Sequence, residues 1–145
     1  MKKYKEIIIN PDTTIKEALK RLDRAQFKCL LVVDSHKKLI GTITDGDIRR
    51  GILSGTIISQ KVSSCFNSNP IFFLENNFNI DEAKTLFSDK KLDLIPVLNK
   101  NHTVLDIITP LDIGDHIERK KKKINTPVVI MAGGRGSRLL PLTEK

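Results

Sequence analysis

Two four-residue stretches combine groups that suit a nucleotide: Thr44-Asp45-Gly46-Asp47 and Thr109-Pro110-Leu111-Asp112, both of the pattern T-x-x-D. A hydroxyl at a strand end can face phosphate together with the unpaired N–H groups of the helix that follows. A carboxylate three residues later can accept hydrogen bonds from both ribose hydroxyls. The same spacing caps a helix with no ligand at all, an arrangement worth about 0.5–1 kcal/mol. A third stretch, Gly133-Gly134-Arg135-Gly136-Ser137-Arg138, follows the apolar run Val128-Val129-Ile130-Met131-Ala132. Glycines after a short strand let backbone N–H groups approach phosphates. It is not a Walker A loop, because no Gly-Lys-Ser/Thr follows. His36, His102, His116, Cys29 and Cys65 show no ligand spacing, so no metal site is expected.

The elements that must position these groups come from an internal repeat. At an offset of 65 residues, Ile15, Glu17 and Ala18 fall on Ile80, Glu82 and Ala83, and Ile43, Thr44, Asp47 and Ile48 fall on Ile108, Thr109, Asp112 and Ile113. Conservative matches such as Asp34 on Asn99 and Leu30 on Ile95 fill the alignment without a gap. In the first copy, Ile7-Ile8-Ile9 reads as a strand closed by Asn10-Pro11-Asp12, and Thr13 or Thr14 caps a helix with the apolar stripe Ile15, Ala18, Leu19, Leu22. Leu30–Val33 and Leu39–Ile43 read as a hairpin, after which Asp45-Gly46-Asp47 opens a second helix. The second copy predicts strands at Ile71–Leu74, Leu94–Leu98 and Val104–Ile108, with helices from Ile80 to Ser88 and from Asp112. The fold class is α/β (α+β), two β-α-β-β-α modules. One module is too small to close a good core, so the two are expected to pack sheet to sheet as a pseudo-twofold pair.

Composition excludes several classes. The chain has 145 residues, enough for one compact unit or two very small ones. No run of about 18 apolar residues exists, and the basic start leads into only three apolar residues, which predicts neither a membrane span nor export. Two cysteines 36 positions apart argue against a disulfide scaffold, and a cytoplasmic setting is expected. The net charge of +8 is unevenly placed: residues 118–145 hold 8 basic and 2 acidic side chains, five of the basic ones in Arg119–Lys123. Residues 1–117 are therefore nearly neutral. The basic block could attract nucleic acid or an anionic membrane, but without interleaved aromatics it reads as a solvated linker.

Read together, Asn10–Leu19, Leu31-Val32-Val33-Asp34 and Gly41-Thr42-Ile43-Thr44-Asp45-Gly46-Asp47-Ile48-Arg49 resemble a CBS (cystathionine β-synthase) motif. The whole of residues 1–118 resembles a tandem CBS pair, or Bateman module. Two positions depart from the pattern: Asp106 stands where the first copy has Gly41, and Leu31 where the family usually has proline. The resemblance implies a regulatory module that binds an adenine nucleotide (AMP, ADP or ATP) or S-adenosylmethionine in clefts between modules, and that associates as a homodimer. Carried over by position, Thr109 and Asp112 would work with Ile7 and Lys28, and Thr44 and Asp47 with Phe72 and Asp93. Lys28 suits phosphate better than Asp93 does, which favours the Asp112 cleft. A pair that binds nothing and serves only to dimerise is the alternative.

The stretch Ala132–Thr143 is similar to the opening signature of sugar-phosphate nucleotidyltransferases of the mannose-1-phosphate guanylyltransferase type, A-G-G-x-G-x-R-L-x-P-L-T. That resemblance implies that Gly133, Gly134 and Gly136 would hold a nucleoside triphosphate and Arg138 would stabilise its phosphates. The remaining machinery, including the carboxylates for Mg2+, would lie in a longer parent enzyme. The expected division is CBS module 1 over 1–64, CBS module 2 over 65–118, a basic linker over 119–126 and the start of a nucleotidyltransferase domain over 127–145. No catalytic residue and no required cofactor are expected in this chain. Residues 126–145, a strand without its sheet, are expected to be disordered or docked opportunistically.

Overall fold

Residues 3–25 and 27–114 are described by a computed structural model. The expected linker, the nucleotidyltransferase start with Gly133, Gly134, Gly136 and Arg138, and the expectation of disorder over 126–145 fall outside the described residues.

The first module runs from a short 3-10 helix, Lys3–Ile7, into β1 (Ile8–Ile9), α1 (Ile15–Arg24), β2 (Cys29–Val33), β3 (Leu39–Thr44) and α2 (Asp45–Leu53). The second repeats it with β4 (Phe73–Leu74), α3 (Ile80–Lys90), β5 (Ile95–Leu98) and β6 (Val104–Ile108), after which residues 110–114 are helical. Each module holds a three-stranded sheet, β1-β2-β3 and β4-β5-β6, with the outer short strand parallel to the centre and the hairpin antiparallel.

Local chemistry accounts for the element ends. The Thr14 hydroxyl accepts from the Glu17 N–H at 3.2 Å and so caps α1, whose buried stripe is Ile15, Ala18 and Leu22. Two further orphan donors at that helix start, the N–H groups of Ile15 and Lys16, are satisfied by the carbonyls of Gln60 and Ile58 in the connector between modules. The strand expected at Ile7–Ile9 is reduced to Ile8–Ile9, because Ile7 closes the 3-10 helix and is buried in the core. The helix expected from Asp112 starts at Pro110 instead, a position where proline's missing N–H costs nothing.

The hairpins repeat residue for residue. Leu30↔Ile43 and Val33↔Leu39 in the first correspond to Ile95↔Ile108 and Leu98↔Val104 in the second, including the register shift near the turn. The turns match as well: the Asp34 carboxylate accepts from the N–H groups of His36 and Lys38, as the Asn99 side chain does from Asn101 and Thr103. Lys37 and His102, 65 residues apart, both adopt positive φ there. The parallel pairs differ: Ile8 faces Leu31, whereas Phe73 faces Val97, one residue further along. Pro96 occupies the position equivalent to Leu31 and has no N–H to give to a neighbouring strand.

The two sheets share one core. Leu30, Leu31, Val32 and Ile43 of the first module and Leu94, Leu98, Val104 and Ile107 of the second belong to a single buried cluster, each fully buried aliphatic side chain contributing about 1.5–3 kcal/mol. Phe73, Ala83, Ile95 and Ile113 form a smaller cluster under the second module. At the hairpin tips Lys38 and Thr103, again 65 residues apart, pair in an isolated antiparallel bridge, so the pseudo-twofold axis passes between them.

Gly41 is where the connector returns. Asn67 exchanges two backbone hydrogen bonds with Thr42, at 3.0 and 2.8 Å, which brings Phe66 and Asn67 directly over Gly41. A Cβ on Gly41 would stand 2.5 Å from the Asn67 carbonyl oxygen and would also meet the Phe66 ring. Its counterpart Asp106 is exposed, so the departure from the repeat follows from the path of the connector. Gly41→Ala should therefore lower unfolding free energy by about 1–3 kcal/mol in urea titrations, while Asp106→Ala should change it by less than about 0.5 kcal/mol.

Cys29 begins β2 in the core. Burial pushes its thiol up from 9.0 to about 12, reinforced by the Asp93 and Asp47 carboxylates. The folded protein thus holds this proton more tightly than the unfolded chain does. Its contribution is complete below pH 9 and is lost as pH rises toward 12. Unfolding free energy should fall over that interval by up to about 1.4 kcal/mol per pH unit from this group, and Cys29→Ala should flatten the decline.

Candidate functional site

The T-x-x-D motifs sit where each hairpin's second strand gives way to a helix. At the first, Thr44 has extended backbone and its hydroxyl accepts from the Asp47 N–H at 3.2 Å. The Asp47 carboxylate reaches back: Oδ2 accepts from the Thr44 N–H at 2.8 Å and from the Thr44 hydroxyl at 2.6 Å. This is a full capping box, with both orphan donors satisfied. The second motif reproduces it, with Asp112 Oδ2 accepting from the Thr109 N–H at 2.8 Å and the Thr109 hydroxyl at 2.6 Å. Capping is thus real at both sites, and it uses only one oxygen of each carboxylate. At Asp47 the other oxygen, Oδ1, accepts from Arg50 Nη2 at 2.6 Å.

Thr44 and Asp47 open onto a cleft of about 360 Å³ between the modules. Asp93, from the segment leading into β5, lines it as expected. Phe72 does not stand among the lining residues. It packs edge-on to His102 with ring centroids 5.4 Å apart, and its neighbour Ile71 faces the cleft instead. The apolar floor comes from Cys29, Leu94 and Pro96, and Asn67 and Asn69 of the connector add amide groups at one side.

The cleft also contains three cations that sequence reasoning did not assign to it: Arg50 from α2, and Lys90 and Lys91 from the end of α3. The comparison of Lys28 with Asp93 therefore left out most of the local charge. With Asp47 and Asp93 against Arg50, Lys90 and Lys91, the lining carries a net positive charge. The spacing of Arg50 three residues after Asp47 was the available signal, since i,i+3 residues on a helix are neighbours. For Lys90 and Lys91 no local signal exists, because α3 meets the cleft only through packing of the second module on the first.

The second set of residues is distributed differently. Thr109 is buried at 8% exposure and held by Asp112, and the 3-10 helix containing Ile7 packs on β6, the strand that leads to Thr109. Ile7 itself is a core side chain with 1% exposure. Lys28 is exposed and lines a separate cleft of about 430 Å³ with Leu19, Leu22, Asp23 and Asp45. Among the described residues no group of three or more His, Cys, Asp or Glu could hold a metal ion, and no helix is long and apolar enough to cross a membrane.

Comparison with known proteins adds relatives to this geometry. The CBS domain family model matches residues 1–54 and 62–119. An inosine-5'-monophosphate dehydrogenase of Aquifex aeolicus is 30% identical over 115 residues, covering 79% of this chain and 22% of the dehydrogenase. A second such enzyme, from Nitrosopumilus maritimus, is 28% identical over 129 residues, covering 87% of this chain and 26% of that one. The chain thus spans about a quarter of the length of these relatives. Among solved structures, CBSX2 in complex with AMP aligns with a TM-score of 0.66 at 20% identity, over 79% of this chain and 89% of that one. The CBS domain pair of protein MJ0100, in complex with 5'-methylthioadenosine and S-adenosyl-L-methionine, aligns with a TM-score of 0.63 at 26% identity, over 77% and 90%. Two matched copies of the model, on two modules that share hairpin register, turn and capping box, place the chain in the CBS domain family as a tandem pair.

Proposed function

We propose that this CBS pair is a regulatory module that binds an adenine nucleotide in the cleft formed by Thr44, Asp47 and Asp93. The observation that carries the reading is the composition of that cleft: a carboxylate for ribose hydroxyls, an apolar floor for a base, and Arg50, Lys90 and Lys91 for phosphate. The complexes of CBSX2 with AMP and of the MJ0100 pair with adenosine derivatives support the choice of ligand class. Thr109 and Asp112, with Ile7 and Lys28, would form the second, pseudo-equivalent site.

In this reading, modules 1–64 and 65–118 lead through the basic linker 119–126 into a nucleotidyltransferase domain starting at 127, whose activity the bound nucleotide controls. The nucleotidyltransferase assignment rests on the signature around Gly133, Gly134, Gly136 and Arg138, and Mg2+ would serve only that domain. The inosine-5'-monophosphate dehydrogenase relatives support a second reading, in which modules of this kind are attached to unrelated enzymes and the regulatory role is independent of the catalytic partner. Exposed Ile52, Leu53, Ile57 and Ile58, at the end of α2 and just beyond it, support association as a homodimer. Both cysteines are free thiols, which supports a cytoplasmic setting.

Titration calorimetry with AMP, ADP, ATP, GTP and S-adenosylmethionine tests the ligand claim. An adenine nucleotide should bind, and Asp47→Asn should weaken it about 10- to 100-fold, the cost of losing a hydrogen bond to a charged group. Absence of heat with every ligand on folded protein would remove the binding reading in favour of a dimerisation scaffold.

A further inference from the structure

Asp47 and Arg50 are unequal partners. The Asp47 side chain is 15% exposed and set in the cleft wall, whereas Arg50 is 73% exposed and reaches it from one turn along α2. Oδ2 of Asp47 is committed twice to Thr44, so Oδ1 is the oxygen that a ligand hydroxyl would use, and Arg50 holds it at 2.6 Å. To make that bond the guanidinium lies over Gly46 in the first turn of α2: a Cβ on Gly46 would stand 3.4 Å from Arg50 Nη1. A cation there sits against the positive end of a nine-residue helix, where an anion would be favoured instead. Among the described residues only Asp47 is found holding Arg50 in this place, through an ion pair with one largely exposed partner, a weak class of interaction.

We propose that Arg50 is the specificity-determining residue of this cleft and that it selects phosphorylated nucleosides by exchanging partners. A ribose hydroxyl donates to Asp47 Oδ1 in place of Arg50. The released guanidinium turns to the phosphate, which it matches with two parallel N–H donors, beside Lys90 and Lys91. An unphosphorylated nucleoside displaces Arg50 without supplying a new anion, so it binds less well. The side chain moves about its own torsions, and the helix need not shift. The equivalent position after Asp112 is Asp115, so the sequence offers no such exchange at the second motif. This inference rests on the nucleotide reading of the Thr44/Asp47 cleft.

Calorimetry on the full chain with AMP and adenosine, for the unsubstituted protein and Arg50→Gln, separates the two ideas. The unsubstituted protein should prefer AMP over adenosine by at least about tenfold. Arg50→Gln should weaken AMP about tenfold and leave adenosine unchanged or tighter, so that the preference collapses. A thermal melt matching the unsubstituted protein establishes that the exposed substitution has not disturbed the fold. If AMP binds but the variant binds it equally well, or loses AMP and adenosine in equal measure, Arg50 has no selective role and the nucleotide reading survives. Equal affinity of the unsubstituted protein for AMP and adenosine likewise overturns the exchange alone. If neither ligand binds the unsubstituted protein, the nucleotide reading fails and the exchange fails with it.

Discussion

The burial of two small sheets against each other is the constraint on which the rest of this molecule depends. Each sheet has a central strand of four or five residues, a hairpin partner and a two-residue edge, too little to enclose a core. Leu30, Leu31 and Val32 become fully buried because Leu94, Leu98, Val104 and Ile107 cover them. The same packing brings the end of one module's hairpin beside the segment entering the other's central strand. Thr44 and Asp47 thereby come to share a cleft with Asp93, and the cleft follows from the pairing of modules.

Within that frame the T-x-x-D motif has a capping role and, in the proposed reading, a binding one. One carboxylate oxygen closes the capping box and fixes the strand-to-helix turn, so the other is held at a defined place in the cleft wall. In the proposed reading, a group that stabilises the fold is thus already positioned for a ligand, which reduces the ordering cost of binding. The high thiol pKa at Cys29 belongs to the same picture, since a neutral thiol on the cleft floor adds no negative charge beside Asp47 and Asp93.

Much of this was legible in the sequence, because a repeat is copied structure. The 65-residue offset carried the hairpin registers, the Asp34 and Asn99 turns and both capping boxes, all of which depend on local spacing. What could not be read depended on tertiary path. Gly41 and Asp106 differ because, among the described residues, the connector returns over Gly41 alone. Ile7 falls in a 3-10 helix, since its apolar run is continuous but its strand partner covers only Ile8 and Ile9. Lys90 and Lys91 look like an ordinary helix end until the second module is laid on the first, and their charge is why we propose the Thr44/Asp47 cleft where the sequence alone favoured the Lys28 side.

The central claim is that an adenine nucleotide occupies the Thr44/Asp47/Asp93 cleft. Backbone amide chemical-shift mapping of the full chain during titration with AMP tests it most directly. The account predicts saturable shifts concentrated at Thr44, Gly46, Asp47, Asn67 and Lys91, complete at lower AMP concentration than any shift around Leu19, Leu22 and Lys28. Saturable shifts confined to the Lys28 cleft, or no shifts at concentrations that saturate related CBS pairs, would contradict it.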